Sequence, residues 1–449
     1  MREYYKENLQ LYSILLVLLL TGMLAGKIVL VVLPAMMFLM VRKRMYEELF
    51  IGYFFILILS DSLSPSLTFA KDAKNIYAAL LAVLFWFNRD DFKPFSTLYK
   101  LYIPFFVFSF FTMYTSINEP FILVSMQKTV SYFLAFIIVP NFFLKLYRDN
   151  GEQFLRRLIF FCFTTLLAGF ILKFTNSDVA FLESGRYRGV MGNPNGLGIY
   201  SFLMFVVFYL VNDFFPALFS KRERWIIYIF ILVSIVLTDS RNAIVALFIF
   251  YLFSRFYKGS VFLGVILSLI ALVAAQVIST NLTAIVLYLK LGNLFRISTL
   301  EDGSGRYVAW EFAWKQIQKN FFVGKGFGYN EYYMRQNYGF LSKLGHQGGI
   351  HNSFLTFWMD QGLIGLLIYL FCYVLIFIKA AGKTKLALPI MFSISFTALF
   401  ESWLVGSLSA YAFLAMIIYT FITSEDIVPQ QQLVNSVEHS EDEITEHDN

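Results

Sequence analysis

Apolar runs of about 12–25 residues follow one another along almost the whole chain, parted by short polar breaks. They fall at 11–24, 28–41, 49–60, 76–88, 101–114, 130–145, 158–173, 196–212, 225–238, 242–254, 260–278, 352–378, 386–400 and 403–422. Several are shorter than the roughly 20 residues that a full crossing needs, so the pattern predicts about 12–14 membrane helices, with the uncertainty in the first pair. One polar break is long. From about Thr280 to His351 the chain carries arginines, carboxylates and both histidines that lie outside the tail.

Charge in the breaks orients the spans. Arg42-Lys43-Arg44, Arg89/Lys93/Lys100, Lys145/Arg148/Arg156/Arg157, Lys221-Arg222-Glu223-Arg224, Arg255/Lys258 and Lys379/Lys383/Lys385 occupy every second loop. The positive-inside rule then puts both termini in the cytoplasm. The external segments become 61–75, 115–129, 174–195, a short turn at 239–241, and 279–351.

Composition sharpens this picture. Hydrophobic residues make up 58 % of 449, with 53 Phe, which excludes an ordinary soluble domain. The first run follows Arg2 and Lys6 as a signal peptide would, but no small-residue cleavage site follows, so it reads as an uncleaved span. Cys162 and Cys372 sit inside apolar runs, where a thiol is a small hydrophobe. The net charge of +6 hides an acidic, polar tail from Ser424 onward, read as disordered, which leaves the membrane body strongly basic.

Arginine is unusual outside the positive-inside loops, yet Arg186, Arg188, Arg241, Arg296 and Arg306 all fall on the external side. An anionic ligand explains the set; pairing with Glu183, Asp239, Glu301 or Asp302 explains any single one. After Gly303-Ser304-Gly305, with Ser304 as a cap, the spacing predicts a short amphipathic helix over 306–320 whose apolar stripe is Trp310, Trp314 and Ile317. Its first turn would join backbone N–H groups, the positive helix end and Arg306, a setting for a diphosphate.

His351 stands where loop becomes span, with Asn352 or Ser353 as the cap. A helix N-terminus disfavours imidazolium, so the ring is expected to be neutral and able to accept a proton; marking the interface is the plainer reading. His346 is five residues away, poor spacing for paired helical metal ligands, and no further Cys or His accompanies it, so no metal is expected. Asp239-Ser240-Arg241 is a very short link that places Arg241 at the membrane boundary. Glu401 is a boundary acid read as the partner of one arginine, and 324–328 (Gly-Lys-Gly-Phe-Gly) is read as a turn, lacking the surroundings of a phosphate loop.

Taken together, Ser240-Arg241 at a span end, Gly305-Arg306-x-x-x-Trp310 in a long external loop, His351-Asn-Ser-Phe-Leu355 opening the next span, and Arg186-x-x-Gly-x-x-x-Asn-Pro-Asn195 resemble the bacterial O-antigen ligase and polymerase family. The resemblance implies a GT-C-like, all-α polytopic membrane glycosyltransferase that needs no metal or other cofactor and uses glycans on undecaprenyl diphosphate. It implies His351, Arg306 and Arg241 as catalytic, with His351 on the acceptor hydroxyl and the two arginines on the diphosphate. Arg186, Arg188, Arg296 and Asn352 would bind substrate. The organisation that follows is N-terminal spans 1–185, a motif-bearing region 186–378 including the loop 279–351, C-terminal spans 379–423 and the acidic tail 424–449.

The expected acceptor is a second lipid-linked repeat unit, making a polymerase of the cytoplasmic membrane's outer face, with a chain-length regulator as a further partner; lipid A–core would make it a ligase. A flippase of lipid-linked glycans is the alternative from another class, but it should carry charges at mid-membrane and an internal repeat, and neither is visible.

Overall fold

The structure, a computed structural model, describes residues 2–260 apart from Ser184, 306–429 apart from Gln347, and the isolated positions 262, 264, 266 and 270. Arg296 and the expected cap Ser304 lie outside the described residues, as do most of the span expected at 260–278 and the acidic tail from 430. Among the described residues every regular element is helical, and the one β feature is an isolated antiparallel bridge from Phe181 to Tyr187.

Helices α1 (Arg2–Glu7), α2 (Leu9–Ala25), α3 (Val29–Arg42), α4 (Tyr46–Asp61) and α5 (Phe69–Phe87) come first. Next are α6 (Thr97–Leu101), α7 (Ile103–Thr115), α8 (Ile122–Thr175) and α9 (Ser177–Ala180). Then follow α10 (Pro194–Phe214), α11 (Lys221–Leu237) and α12 (Arg241–Gly259). Beyond the undescribed stretch lie α13 (Arg306–Ile317), α14 (Tyr329–Gln336), α15 (Tyr338–Lys343), α16 (Ser353–Ala381), α17 (Ala387–Phe400) and α18 (Ala410–Thr423).

Among the described residues, four helical stretches are long and apolar enough to cross a membrane: Leu9–Arg42, Ile122–Thr175, Pro194–Phe214 and Ser353–Ala381. Helices α7, α17 and α18 are apolar but shorter. The chain is an all-α, multi-pass membrane protein. The two spans expected at 130–145 and 158–173 both fall in α8, which breaks at Gly151 with φ 57°, a conformation glycine adopts without a Cβ penalty. The last span begins at Ala410 rather than 403, because Glu401–Ser409 forms a turn with a single 3₁₀ segment.

By internal packing the chain divides into two units. The first comprises 1–100, 134–244 and 408–449. Here α10, capped by Asn193 and started by Pro194, is buried along nearly its whole length against α11 and α18. Phe54 stacks on Phe413 at 4.1 Å, and Asp61 accepts hydrogen bonds from the Tyr411 hydroxyl (2.7 Å) and the Gly192 N–H (2.9 Å).

The second unit comprises 101–133 and 245–407. Its centre is α16, packed on α7, α13 and α17, with Phe357 stacked on Tyr369 at 4.1 Å. Helix α16 is interrupted at Gly362 (φ 72°), where the N–H groups of Leu363 and Ile364 donate to the carbonyls of Phe321 (2.8 Å) and Phe322 (3.2 Å). A side chain at 362 would stand 2.4 Å from the Phe322 oxygen, so both φ and the close approach require glycine. One residue before the break's flank, Asp360 is fully buried and accepts from the backbone N–H groups of Gly328 (3.1 Å) and Asn330 (2.8 Å) and from Asn330 Nδ2 (2.8 Å). These bonds close the 324–328 turn, with Gly326 and Gly328 both at positive φ, onto the break in the span. Lys325–Glu119 (2.6 Å) and Lys128–Glu331 add two ion pairs from the loop to the 119–128 segment.

The later part of the long loop therefore has its own core, built from Ala309, Ala313, Ile317, Met334, Leu341, Ile350 and Met359. The expected stripe is found in part: Ile317 belongs to this core and Trp310 packs against it. Small residues at 309 and 313 with Ile317 let the helix approach closely, while Trp310 and Trp314 flank the contact and stay partly open. Burial raises the Tyr329 phenol at the edge of this core to about 12, so it stays neutral there.

Candidate active site

Three helix ends of the second unit meet: the start of α13, the start of α16 and the end of α17. Asn352 caps α16, its Oδ1 accepting from the Leu355 N–H at 3.0 Å, so the chain turns sharply just before it. His351 takes that turn with φ 52°, a left-handed conformation that costs a non-glycine residue on the order of 1 kcal/mol or more and is held by its surroundings. Past Phe400, α17 stops and Glu401 is extended (φ −148°, ψ 146°).

Side chains bolt the two strands of this corner together. Ser353 Oγ donates to the Glu401 carbonyl (2.7 Å), the Asn352 N–H donates to Ser402 Oγ (3.0 Å), and Thr356 Oγ1 bonds Ser402 Oγ (3.0 Å). Glu401 is thereby fixed with its carboxylate between two cationic or basic groups. Arg306 Nη2 donates to Oε1 at 3.1 Å, and His351 Nδ1 lies 2.9 Å from Oε2. The Arg306 guanidinium also sits 6.0 Å over the Phe400 ring, a cation–π distance.

The bridge assigns the imidazole's tautomer. A carboxylate shared with a guanidinium only accepts, so Nδ1 carries a proton, and in the neutral ring the lone pair is on Nε2. Side-chain exposure is 13 % for Glu401 and 34 % for His351, so the acid is enclosed and the imidazole is the member that meets the exterior. Gly348 lies against Nε2, where a Cβ would come within 2.9 Å, and the buried His346 ring sits edge-on to His351 at 6.1 Å. The cluster can hold an anion at Arg306 and accept a proton at His351 within one corner.

Of the other expected site residues, Asn352 belongs to this corner, and Arg241, Arg186 and Arg188 belong to the first unit. Arg241 is the first residue of α12, in the first unit, and follows Asp239 at φ 51°. In the same unit Arg186 donates to Asn195 Oδ1 (2.9 Å) and to the carbonyls of Thr238 (3.1 Å) and Asp239 (3.2 Å), linking three segments around the turn that precedes Arg241. Arg188 donates to the carbonyls of Val179 (2.9 Å) and Asp178 (3.1 Å) and folds the 178–192 loop on itself. Such bonds satisfy carbonyls that no helix or sheet serves. Asn352 acts as a helix cap and is nearly buried.

Residues 226–370 match the Wzy_C family, described as O-antigen ligase. The matched segment is about a third of the 449-residue chain. It holds Arg241, Arg306 and His351, while Arg186, Arg188 and Glu401 lie outside it. No curated protein matches the chain. The match supports, coarsely, a glycosyltransferase-like function of the O-antigen ligase and polymerase type. Glu401 is the residue whose importance the sequence understated. Its pairing with one arginine was legible from its place as a boundary acid, but its second bond, to His351, joins positions 50 apart and leaves no local signal.

Proposed function

We propose that the protein is a glycosyltransferase that joins undecaprenyl-diphosphate-linked oligosaccharide repeat units on the outer face of the cytoplasmic membrane. The observation that carries this reading is the Glu401 carboxylate held between Arg306 and His351. As the acceptor hydroxyl oxygen attacks the donor's anomeric carbon, its proton passes to His351 Nε2. The bond from that carbon to the diphosphate breaks, and the electron pair leaves with the lipid diphosphate. Arg306, oriented by Glu401, faces the charge that grows on the leaving group, an interaction stronger in the transition state than in the ground state. Proton acceptance by a positioned side chain contributes on the order of 10²–10⁴ in rate. Basic residues in alternate loops support the orientation with cytoplasmic termini.

The matched family, that of O-antigen ligase, favours a second reading with the same chemistry, in which lipid A–core is the acceptor and the protein is a ligase. Replacing His351 by Ala in the native host and resolving surface glycan on a gel tests both. Single repeat units on the acceptor are expected for a polymerase defect; full-length polymer retained on the lipid carrier identifies a ligase. Normal long-chain glycan at normal protein level removes His351 from the chemistry.

A further inference from the structure

Helix α13 carries an aromatic stripe that its own core uses only in part: Trp310 packs against that core, while Tyr307 stays open. At about 100° per residue, Arg306, Trp310, Trp314 and Tyr307 fall within one arc of roughly 100°, which overlaps the packed face of Ala309, Ala313 and Ile317 at its Arg306–Trp310 edge and has Tyr307 at the far edge. Tyr307 is 61 % exposed and meets Trp310 edge-to-face at 5.7 Å and 83°. Trp310 is fixed in turn: its indole N–H donates to the Ile350 carbonyl at 2.9 Å, on the residue before His351. The ring pair is therefore anchored on one side by the helix turn that bears Arg306 and on the other by the backbone that bears His351.

We infer that Tyr307, backed by Trp310, is a stacking platform for a pyranose ring of the glycan beside the Arg306–Glu401–His351 cluster. The inference rests on the proposed glycosyl transfer and names the sugar contact within it. An edge-to-face neighbour leaves a π-face of Tyr307 uncovered, and that negative face attracts the polarised C–H groups on the apolar side of a sugar ring. A membrane-interface role would also use tyrosine. The next residue along this face argues for water instead: Glu311, one turn on, is 70 % exposed and pairs with the equally open Lys315 at 2.7 Å. Tyr307 thus stands between the reacting cluster and a solvated charged surface, where a glycan fits and an acyl chain does not.

The test uses the full-length protein in proteoliposomes with lipid-linked repeat units extracted from the host. Tyr307→Phe should transfer within about twofold of wild type, and Tyr307→Ala should raise KM about tenfold with kcat changed less than about threefold. Unchanged constants in Tyr307→Ala, as expected for a lipid contact, overturn the inference; so does an equal loss in Tyr307→Phe, or a fall in kcat alone. Should wild type transfer nothing, the functional reading fails by itself, and the platform is read by saturation-transfer NMR with the free repeat-unit oligosaccharide. Signal in wild type that Tyr307→Ala abolishes supports the platform; no signal, or equal signal in both, overturns it.

Discussion

Glu401 governs what Arg306 and His351 can do, because each of its two oxygens serves one of them. Glutamine has the same length but only one accepting oxygen, and its amide nitrogen repels an N–H donor. Glu401→Gln should therefore lower kcat for glycan transfer by on the order of 10², with KM moved much less, as outer partners of reacting groups commonly do. Wild-type turnover in proteoliposomes would show that the bridge is packing alone. Arg306→Lys asks a separate question. Lysine keeps the charge but loses the planar fork that reaches a carboxylate and a phosphate together, so transfer should fall at least about tenfold. Undiminished transfer would reduce Arg306 to a point charge.

At the scale of elements, the break in α16 decides where the loop sits. Gly362→Ala places a Cβ against the Phe322 carbonyl and forces an unfavourable φ, which costs about 1–3 kcal/mol. A lower unfolding midpoint in detergent is expected, and an unchanged one would mean the loop adjusts freely. Asp360→Asn keeps the shape but offers one oxygen to three N–H donors, leaving a buried donor unmet at about 1–3 kcal/mol. Faster limited proteolysis within 320–345 is the readout; wild-type resistance would set these bonds aside. The helical period of α13 was legible, with its start near Arg306 and its 3₁₀ end at Asn320. Its inner face was legible only in part: Ile317 and Trp310 were expected there, whereas close packing added Ala309 and Ala313. Asn352 as cap was legible because capping depends on residues within one turn.

For the molecule as a whole, sidedness can be checked with thiol reagents, since Cys162 and Cys372 are both buried. Cysteine introduced at the exposed Lys43 should resist a membrane-impermeant maleimide in intact spheroplasts, and cysteine at the exposed Lys343 should react. The opposite pattern would invert the proposed orientation. The membrane class, most helix positions and the Arg306 and His351 motifs were determined by the sequence alone. Each depends on a short stretch: transfer of a segment into lipid depends on that segment's own residues, and a cap acts within one turn. Only the tertiary structure decided that Glu401 joins Arg306, 95 positions away, to His351, 50 away, and that Arg186 serves the carbonyls of Thr238 and Asp239. Contacts at such separations carry no period along the chain. They exist because packed helices bring their ends together, and the long polar loop became a site when the end of α17 supplied its carboxylate.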